Sequence, residues 1–308
     1  MKKRYHFFIV MGVLLIGLII GSFLDLQINQ ALFFKDNAFG IGMAAFGVYP
    51  AYMGLSFAGG TLFLVAIKRR KDMPVYGLIL CFFFAFLALG MATYLCGEEF
   101  ASPNGFNNHD IAWIGYLISG IVMVATFVGA YFLLRNGDMK VLLSMAVIMI
   151  VIFTVALLPP GFIIKLIIHR PRYRYAVRCE LTSFYNWWQT YPEYKTQIGK
   201  VVEGFEITKE EFKSFPSGHS GTGAIMMMFL PYLSMAFKKL KGKETLFFYI
   251  GFVWMIIMMF SRITVGAHYL TDTCMGSLIV IVVYYVANEV ALKKKLFDEK
   301  EESEIQEE

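Results

Sequence analysis

Eight stretches of about twenty mostly apolar residues constrain this chain more than any other feature. They run approximately over 7–25, 47–67, 74–95, 112–134, 140–158, 219–237, 245–261 and 272–292. About 20 apolar residues suffice for a helix to cross the hydrocarbon core of a bilayer, where a helix satisfies every backbone polar group internally. The expectation is therefore an all-α, polytopic transmembrane helical bundle of about eight spans. Composition supports it: 57% of the 308 residues are hydrophobic and 17% charged, against roughly 45–50% and 25% in soluble domains. This excludes the two soluble domains that the length alone would suggest. With 9 Pro and 4 Cys, disordered, collagen-like and disulfide-scaffold chains are excluded too. The most polar stretch, 219–237, opens on His219 and carries Ser220, Thr222 and Pro231; a polar start to a membrane helix points to function. Pro159 and Pro160 should kink or end the fifth span. The apolar run resumes at 161–168, so this element reads as a broken helix.

Lys and Arg in short loops set orientation. If the N-terminus starts on one side and the spans alternate, that side holds Lys2, Lys3, Arg4, Lys68, Arg69, Arg70, Lys71, Arg135, Lys140, Lys238, Lys239, Lys241, Lys243, Lys293, Lys294 and Lys295. The short loops of the other side hold Lys35 and Arg262. The contrast places both termini in the cytoplasm. The net charge of +5 thus resolves mainly into orientation signals, and no nucleic-acid partner is expected. The segment 1–25 has a basic start like a signal peptide, but it shows no convincing small-residue cleavage site and is read as a span.

One long connection, roughly 165–218, falls on the outer face. It begins with Lys165, Arg170, Arg172, Arg174 and Arg178, and its middle carries Tyr185, Trp187, Trp188, Tyr191 and Tyr194. Such amphipathic rings suit the headgroup level, and the segment is either a surface cover or a lid at a lipid entrance. The aromatic part, 185–194, is the expected selectivity element. Thr208 and Glu211 have capping-box spacing, which predicts a short helix before Phe215. Cys96 and Cys179 share the outer side, where a disulfide between them is an open expectation; Cys81 and Cys274 read as core. The acidic tail from Asp298 reads as a solvated cytoplasmic end.

Three clusters carry chemistry. Lys165 and Arg172, with six residues between them, follow the fifth span. Pro216-Ser217-Gly218-His219 opens the sixth. Ser261-Arg262, five residues, His268, three residues and Asp272 join the seventh to the eighth. All three fall at the outer end of the spans, a placement that rests on loop charge and not on the motifs themselves. Lys165, Arg172 and Arg262 supply cations, and the Arg fork suits phosphate oxygens. Ser217 and Gly218 lie at a helix start, where free N–H groups favour an anion. If the eighth helix extends back to His268, that residue and Asp272 share a face. The carboxylate would then hold one ring nitrogen and expose the other as a nucleophile, leaving His219 as proton donor to the leaving oxygen. Alone, each piece has a plainer explanation: a snorkelling cation, ordinary helix punctuation, a structural His–Asp pair. Order, spacing and shared face together favour a phosphoryl site. His169 and Arg170 are assigned no chemistry, His109 reads as an exposed loop residue and His6 as interfacial.

These motifs resemble the second and third motifs of the type 2 phosphatidic acid phosphatase superfamily, which also includes glucose-6-phosphatase and the vanadium haloperoxidases. The first family motif is Lys, six residues, Arg-Pro; here Lys165 and Arg172 keep the spacing while Tyr173 replaces Pro. Arg170-Pro171 is the alternative register, with a shorter gap. The resemblance implies that His268 attacks phosphorus to form a phosphohistidine and that Asp272 orients it. It further implies that His219 protonates the leaving group and then activates water, and that Lys165, Arg172, Ser217, Gly218 and Arg262 hold the phosphoryl oxygens. It implies no metal and no other cofactor. Expected domains are five N-terminal spans over 1–160, a catalytic core over 161–296 that includes the extracytoplasmic loop 173–215, and the tail 297–308. The expected activity is metal-independent hydrolysis of a lipid phosphate or diphosphate (undecaprenyl diphosphate, phosphatidylglycerol phosphate or phosphatidate) at the outer face of what is expected to be a bacterial cell membrane. The alternatives are a lipid phosphotransferase with the same residues, or a glucose-6-phosphatase-like enzyme for a soluble ester. A transporter would bury charges near the bilayer midplane, where these spans are nearly charge-free. The soluble haloperoxidases do not fit eight spans. Membrane lipids are the expected surroundings, and the oligomeric state is open.

Overall fold

Apolar runs of this length fold as helices, and helices dominate the molecule. The structure, a computed structural model, describes residues 4–293 apart from 36, 103–108, 182 and 203. Lys2, Lys3, Lys294, Lys295, the acidic tail and the side chain of His109 lie outside the described residues. In chain order the helices are α1 (Tyr5–Leu32), α2 (Ala38–Phe46), α3 (Tyr49–Lys68), α4 (Val75–Ala101), α5 (Ala112–Leu134), α6 (Met139–Ile152), α7 (Leu158–Ile168), the short α8 (Tyr173–Arg178) and α9 (Tyr194–Gln197), then α10 (Gly218–Ala236), α11 (Glu244–Thr264) and α12 (Leu270–Lys293). A two-stranded antiparallel ribbon pairs Val201 with Glu206 and Val202 with Phe205 in the long connection. The architecture is an all-α helical bundle.

Seven helical stretches are long and apolar enough to cross a membrane: Tyr5–Leu32, Ala38–Lys68, Val75–Ala101, Ala112–Leu134, Met139–Leu157, Glu244–Thr264 and Leu270–Ala291. The sequence suggested an eighth, 219–237; it forms the 19-residue α10 but is not among these seven. Its place explains its polarity. α10 is buried along almost its whole length, packed on α11 and α12, so it need not present an apolar surface to lipid. The outward faces of α1, α4 and α5 carry exposed Ile19, Phe23, Phe83 and Ile121. α3, α4 and α5 form one three-helix group, α1 lies along α12, and α6 joins α3 to α12.

The expected break after the fifth span is a π turn over Phe153–Leu157. Pro159 and Pro160 lack N–H donors, so the carbonyls one turn earlier lose their helical partners and the ladder widens. Both prolines then fall in the first turn of α7, where a missing donor costs least. α7 ends on His169, whose φ of +50° turns the chain into the long connection, and its ring stacks on Tyr194 with centroids 3.5 Å apart.

That connection has its own small core of Tyr175, Tyr191, Ile207 and Phe212. Tyr191, expected in a selectivity element, is therefore a packing residue, stacked on Phe212. Trp187 stacks on Phe215 and donates to Ser22 Oγ of α1 at 3.0 Å, which seats the cover on the bundle. The short helix expected before Phe215 is a 3₁₀ turn, Lys209–Phe212, but Thr208 makes no side-chain cap bond. Glu211 turns away from the cap to a bidentate pair with Arg174, at 2.7 and 3.1 Å. A charged fork binds a carboxylate more strongly than a backbone N–H does. No disulfide joins Cys96 and Cys179: Cys96 is buried on α4 while Cys179 packs against the cover's core.

α12 approaches the start of α10 so closely that a Cβ on Gly276 would collide with the carbonyl oxygen of Ser217. Gly276→Ala should therefore lower the thermal unfolding midpoint in detergent, since backbone on backbone cannot give way. Gly12→Ala, on α1 with nothing within 4 Å, should leave it unchanged or slightly raised. Equal effects of the two substitutions would contradict this packing.

Candidate active site

The site is built where α10 starts, α11 ends and α12 starts. Ser217 caps α10, its Oγ accepting from Ser220 N at 3.3 Å. Its own N–H donates to the carbonyl of Asp272 at 3.0 Å, which ties the second motif to the third. Gly218 follows, and Lys165 Nζ lies 4.0 Å from where a Gly218 Cβ would be. The first motif is thus folded onto the second, and glycine leaves the cation room to reach the helix start.

Arg262 belongs to the last turn of α11 and not, as the sequence suggested, to the outer turn. It is fully buried. Its guanidinium donates to the Gly40 carbonyl of α2 and, at 3.1 Å, to Ser261 Oγ, so its direction is fixed. The chain then wraps back: Ala267 N and His268 N both donate to the Arg262 carbonyl, at 3.1 and 3.3 Å.

His268 precedes α12, so the shared helical face with Asp272 does not exist. The two are close by another route. His268 Nδ1 sits 2.6 Å from the Ser214 carbonyl and 3.8 Å from Asp272 Oδ2. The carbonyl is the nearer partner and accepts the Nδ1 proton, which selects the tautomer with Nε2 unprotonated. Burial pushes His268 down to about 3; Asp272 opposes this, and Arg172 and Lys165 reinforce it. The ring is neutral at physiological pH, as a nucleophile must be.

Asp272 is fully buried, and its carboxylate accepts from Arg170, Ser214 Oγ and, at 2.9 Å, Tyr269 N. Arg170 also donates to Thr271 Oγ1 at 2.8 Å and to Asp25 of α1 at 2.9 Å, with its guanidinium carbon 4.0 Å over the Tyr269 ring. Burial works against the charge on Arg170, but Asp272 and Asp25 outweigh it and strengthen its hold on the proton. Both forks of Arg170 are therefore engaged by protein carboxylates. Arg172 is held differently. Its N–H donates to the Glu211 carbonyl at 2.8 Å, and its guanidinium stands 3.9 Å from Glu210, whose side chain is partly exposed. Burial, with repulsion from Arg174, lowers Arg172 to about 10, the response of a cation held among other cations.

Lys165, Arg172, Arg262, His219 and His268 all act electrostatically on one another or on shared neighbours. All eight residues singled out in the sequence fall in one region at one end of the bundle. Two participants were missed. Asp25 was assigned no role from the sequence. Glu99 was assigned none either, yet its Oε2 lies 3.2 Å from His219 Nε2. Nothing in their local sequence marks them, since their partners are about 145 and 120 residues away. Among the described residues no group of three or more His, Cys, Asp or Glu is placed to hold a metal ion.

Arg170 and Arg172 should separate cleanly under mutation. Arg170→Ala leaves two buried carboxylates uncompensated and should cost about 3–5 kcal/mol of stability. Arg172→Ala should shift the unfolding midpoint far less while abolishing phosphate release. The reverse pattern would make Arg170 the ligand.

No curated protein and no solved structure matches the chain. The family model of the PAP2 superfamily matches residues 137–295, more than half of the chain and all three motif clusters. The chain is a member of the PAP2 superfamily, a phosphatase acting on phosphate esters.

Proposed function

We propose that this phosphatase hydrolyses a lipid phosphate or diphosphate at the outer face of the membrane, through a phosphohistidine on His268. The observation that carries the reading is the convergence of a neutral histidine and three cations at one end of a bundle of apolar helices. Lys165, Arg172, Arg262 and the start of α10, through the Ser217 hydroxyl and the Gly218 N–H, hold the phosphoryl oxygens. Phosphoryl transfer gains most from such positioning and charge neutralisation. His268 Nε2 attacks phosphorus as the bond to the leaving oxygen breaks, and the electron pair of that bond goes to the oxygen. His219 gives it a proton. His219, now neutral, takes a proton from water, which attacks phosphorus and displaces His268. Asp272 and the Ser214 carbonyl keep His268 in place, and the imidazolium side of the cycle is balanced by Asp272.

A lipid substrate is favoured by the surroundings. The helices around the site expose Ile and Phe outward, and the cover carries an exposed Trp188 beside Trp187. Such rings suit the headgroup level. The Lys and Arg count puts this end of the bundle outside the cytoplasm. Undecaprenyl diphosphate, phosphatidylglycerol phosphate and phosphatidate all have the required headgroup, and transfer to an acceptor lipid would use the same first half-reaction.

Phosphate release from lipid diphosphates, lipid monophosphates and sugar phosphates, measured in detergent, tests the reading. Lipid substrates should exceed sugar phosphates in kcat/KM, EDTA should leave the rate unchanged, and release should need no acceptor lipid. His268→Ala should lower kcat about 10⁴-fold or more. Preference for a sugar phosphate, strict acceptor dependence or a turning-over His268→Ala would each overturn it.

A further inference from the structure

Glu99 has no part in the chemistry described so far, and it lies outside the stretch matched by the family model. It stands on the last turn of α4, in the N-terminal helix group. Its carboxylate reaches across to α10, with Oε2 3.2 Å from His219 Nε2. Ser102 Oγ sits 3.4 Å from the same oxygen, which steadies the carboxylate from its own chain. Around it are Lys165 of α7 and Arg262 of α11 as cations, with Tyr52 of α3 and Cys96 of α4 on the protein side.

A ring flanked by cations has a difficulty as a general acid. Burial lowers His219, and Arg262 and Arg172 add to it against the opposing effect of Glu99; each of the three disfavours the protonated form that a leaving oxygen requires. A fixed carboxylate on one ring nitrogen supplies the opposite charge and sets which nitrogen is free. The same arrangement orients histidines in other hydrolytic sites.

We propose that Glu99 is the positioning residue for His219: it holds Nε2–H and favours the charged ring, so that Nδ1–H is the proton delivered to the leaving oxygen. The inference rests on the proposed phosphatase mechanism and adds to it a residue from outside the family region. In the step, the N–P bond to His268 forms, and the bond from phosphorus to the leaving oxygen breaks. The Nδ1 proton passes to that oxygen, and His219 ends neutral with Nε2–H still on Glu99, which remains an anion throughout.

The effect must scale with how much the leaving group needs a proton. With full-length protein in detergent, Glu99→Gln should lower kcat/KM for dodecyl phosphate, a poor leaving group, by about tenfold or more. For 4-nitrophenyl phosphate, whose leaving oxygen needs no proton, the change should stay within about threefold. Glu99→Asp should recover part of the loss. In a His219→Ala background, Glu99→Gln should have no further effect, because coupled residues are not additive. Equal losses on both substrates would overturn the proposal, as would additivity with His219→Ala. So would tighter vanadate inhibition with undiminished dodecyl phosphate turnover, which would make Glu99 an anion that merely occupies the cradle. If wild type released phosphate from neither ester nor from any lipid phosphate, the phosphatase mechanism would fail instead.

Discussion

The interaction on which the site depends is the buried pairing of Arg170 with Asp25 and Asp272. Two carboxylates and one guanidinium, all nearly inaccessible to water, are costly to bury and can be held only if their geometry is complete. Completing it requires α1, the connection after α7 and the start of α12 to meet at one point. Asp25 also accepts from Thr271 N at 3.0 Å, so the same carboxylate satisfies an otherwise orphaned donor at the start of α12. Once Asp272 is fixed, Ser214 and Tyr269 are fixed through it, and His268 is held between Ser214 and its own chain.

This arrangement separates orientation from charge. In the simplest His–Asp pair one carboxylate does both. Here the Ser214 carbonyl sets the tautomer at 2.6 Å, and Asp272 at 3.8 Å supplies negative potential from a position that Arg170 pins. Burial keeps His268 neutral, and Arg172 and Lys165 push it in the same direction. The cations and the neutral state of His268 therefore reinforce each other electrostatically. At His219 burial and two of the cations work against the protonated form, and a carboxylate from α4 partly offsets them.

The helical bundle and the three motif clusters were legible in the sequence because both are local patterns. Apolar length announces a membrane helix, and His268, Arg262 and Ser217 sit within a few residues of their motif partners. Arg172 was separated from Arg170 by spacing alone, whereas the commitment of Arg170 to Asp25 and Asp272 had no signal in the sequence. The rest was not legible where the deciding contact is distant in sequence. Asp25 and Glu99 look like ordinary charges because Arg170 and His219 lie more than a hundred residues away. Tyr191 looks like a surface ring because its packing partners Tyr175 and Phe212 come from other segments. Glu211 has the spacing of a capping residue, but Arg174 competes for it more strongly than a backbone N–H can. The polar start of α10 was read as functional; its low apolar content also reflects burial among helices rather than contact with lipid.

The N-terminal helices are thus more than a membrane anchor. They deliver one carboxylate to the pair that holds the nucleophile's loop and another to the candidate acid. The central claim, that His268 itself takes up phosphorus, is tested most directly by quenching turnover of a ³²P-labelled lipid phosphate in alkali and locating the label by peptide mapping. The account predicts one acid-labile, alkali-stable label on the peptide containing His268, absent from His268→Ala. Label on another residue, or robust turnover with no protein-bound phosphate at any quench time, would contradict it.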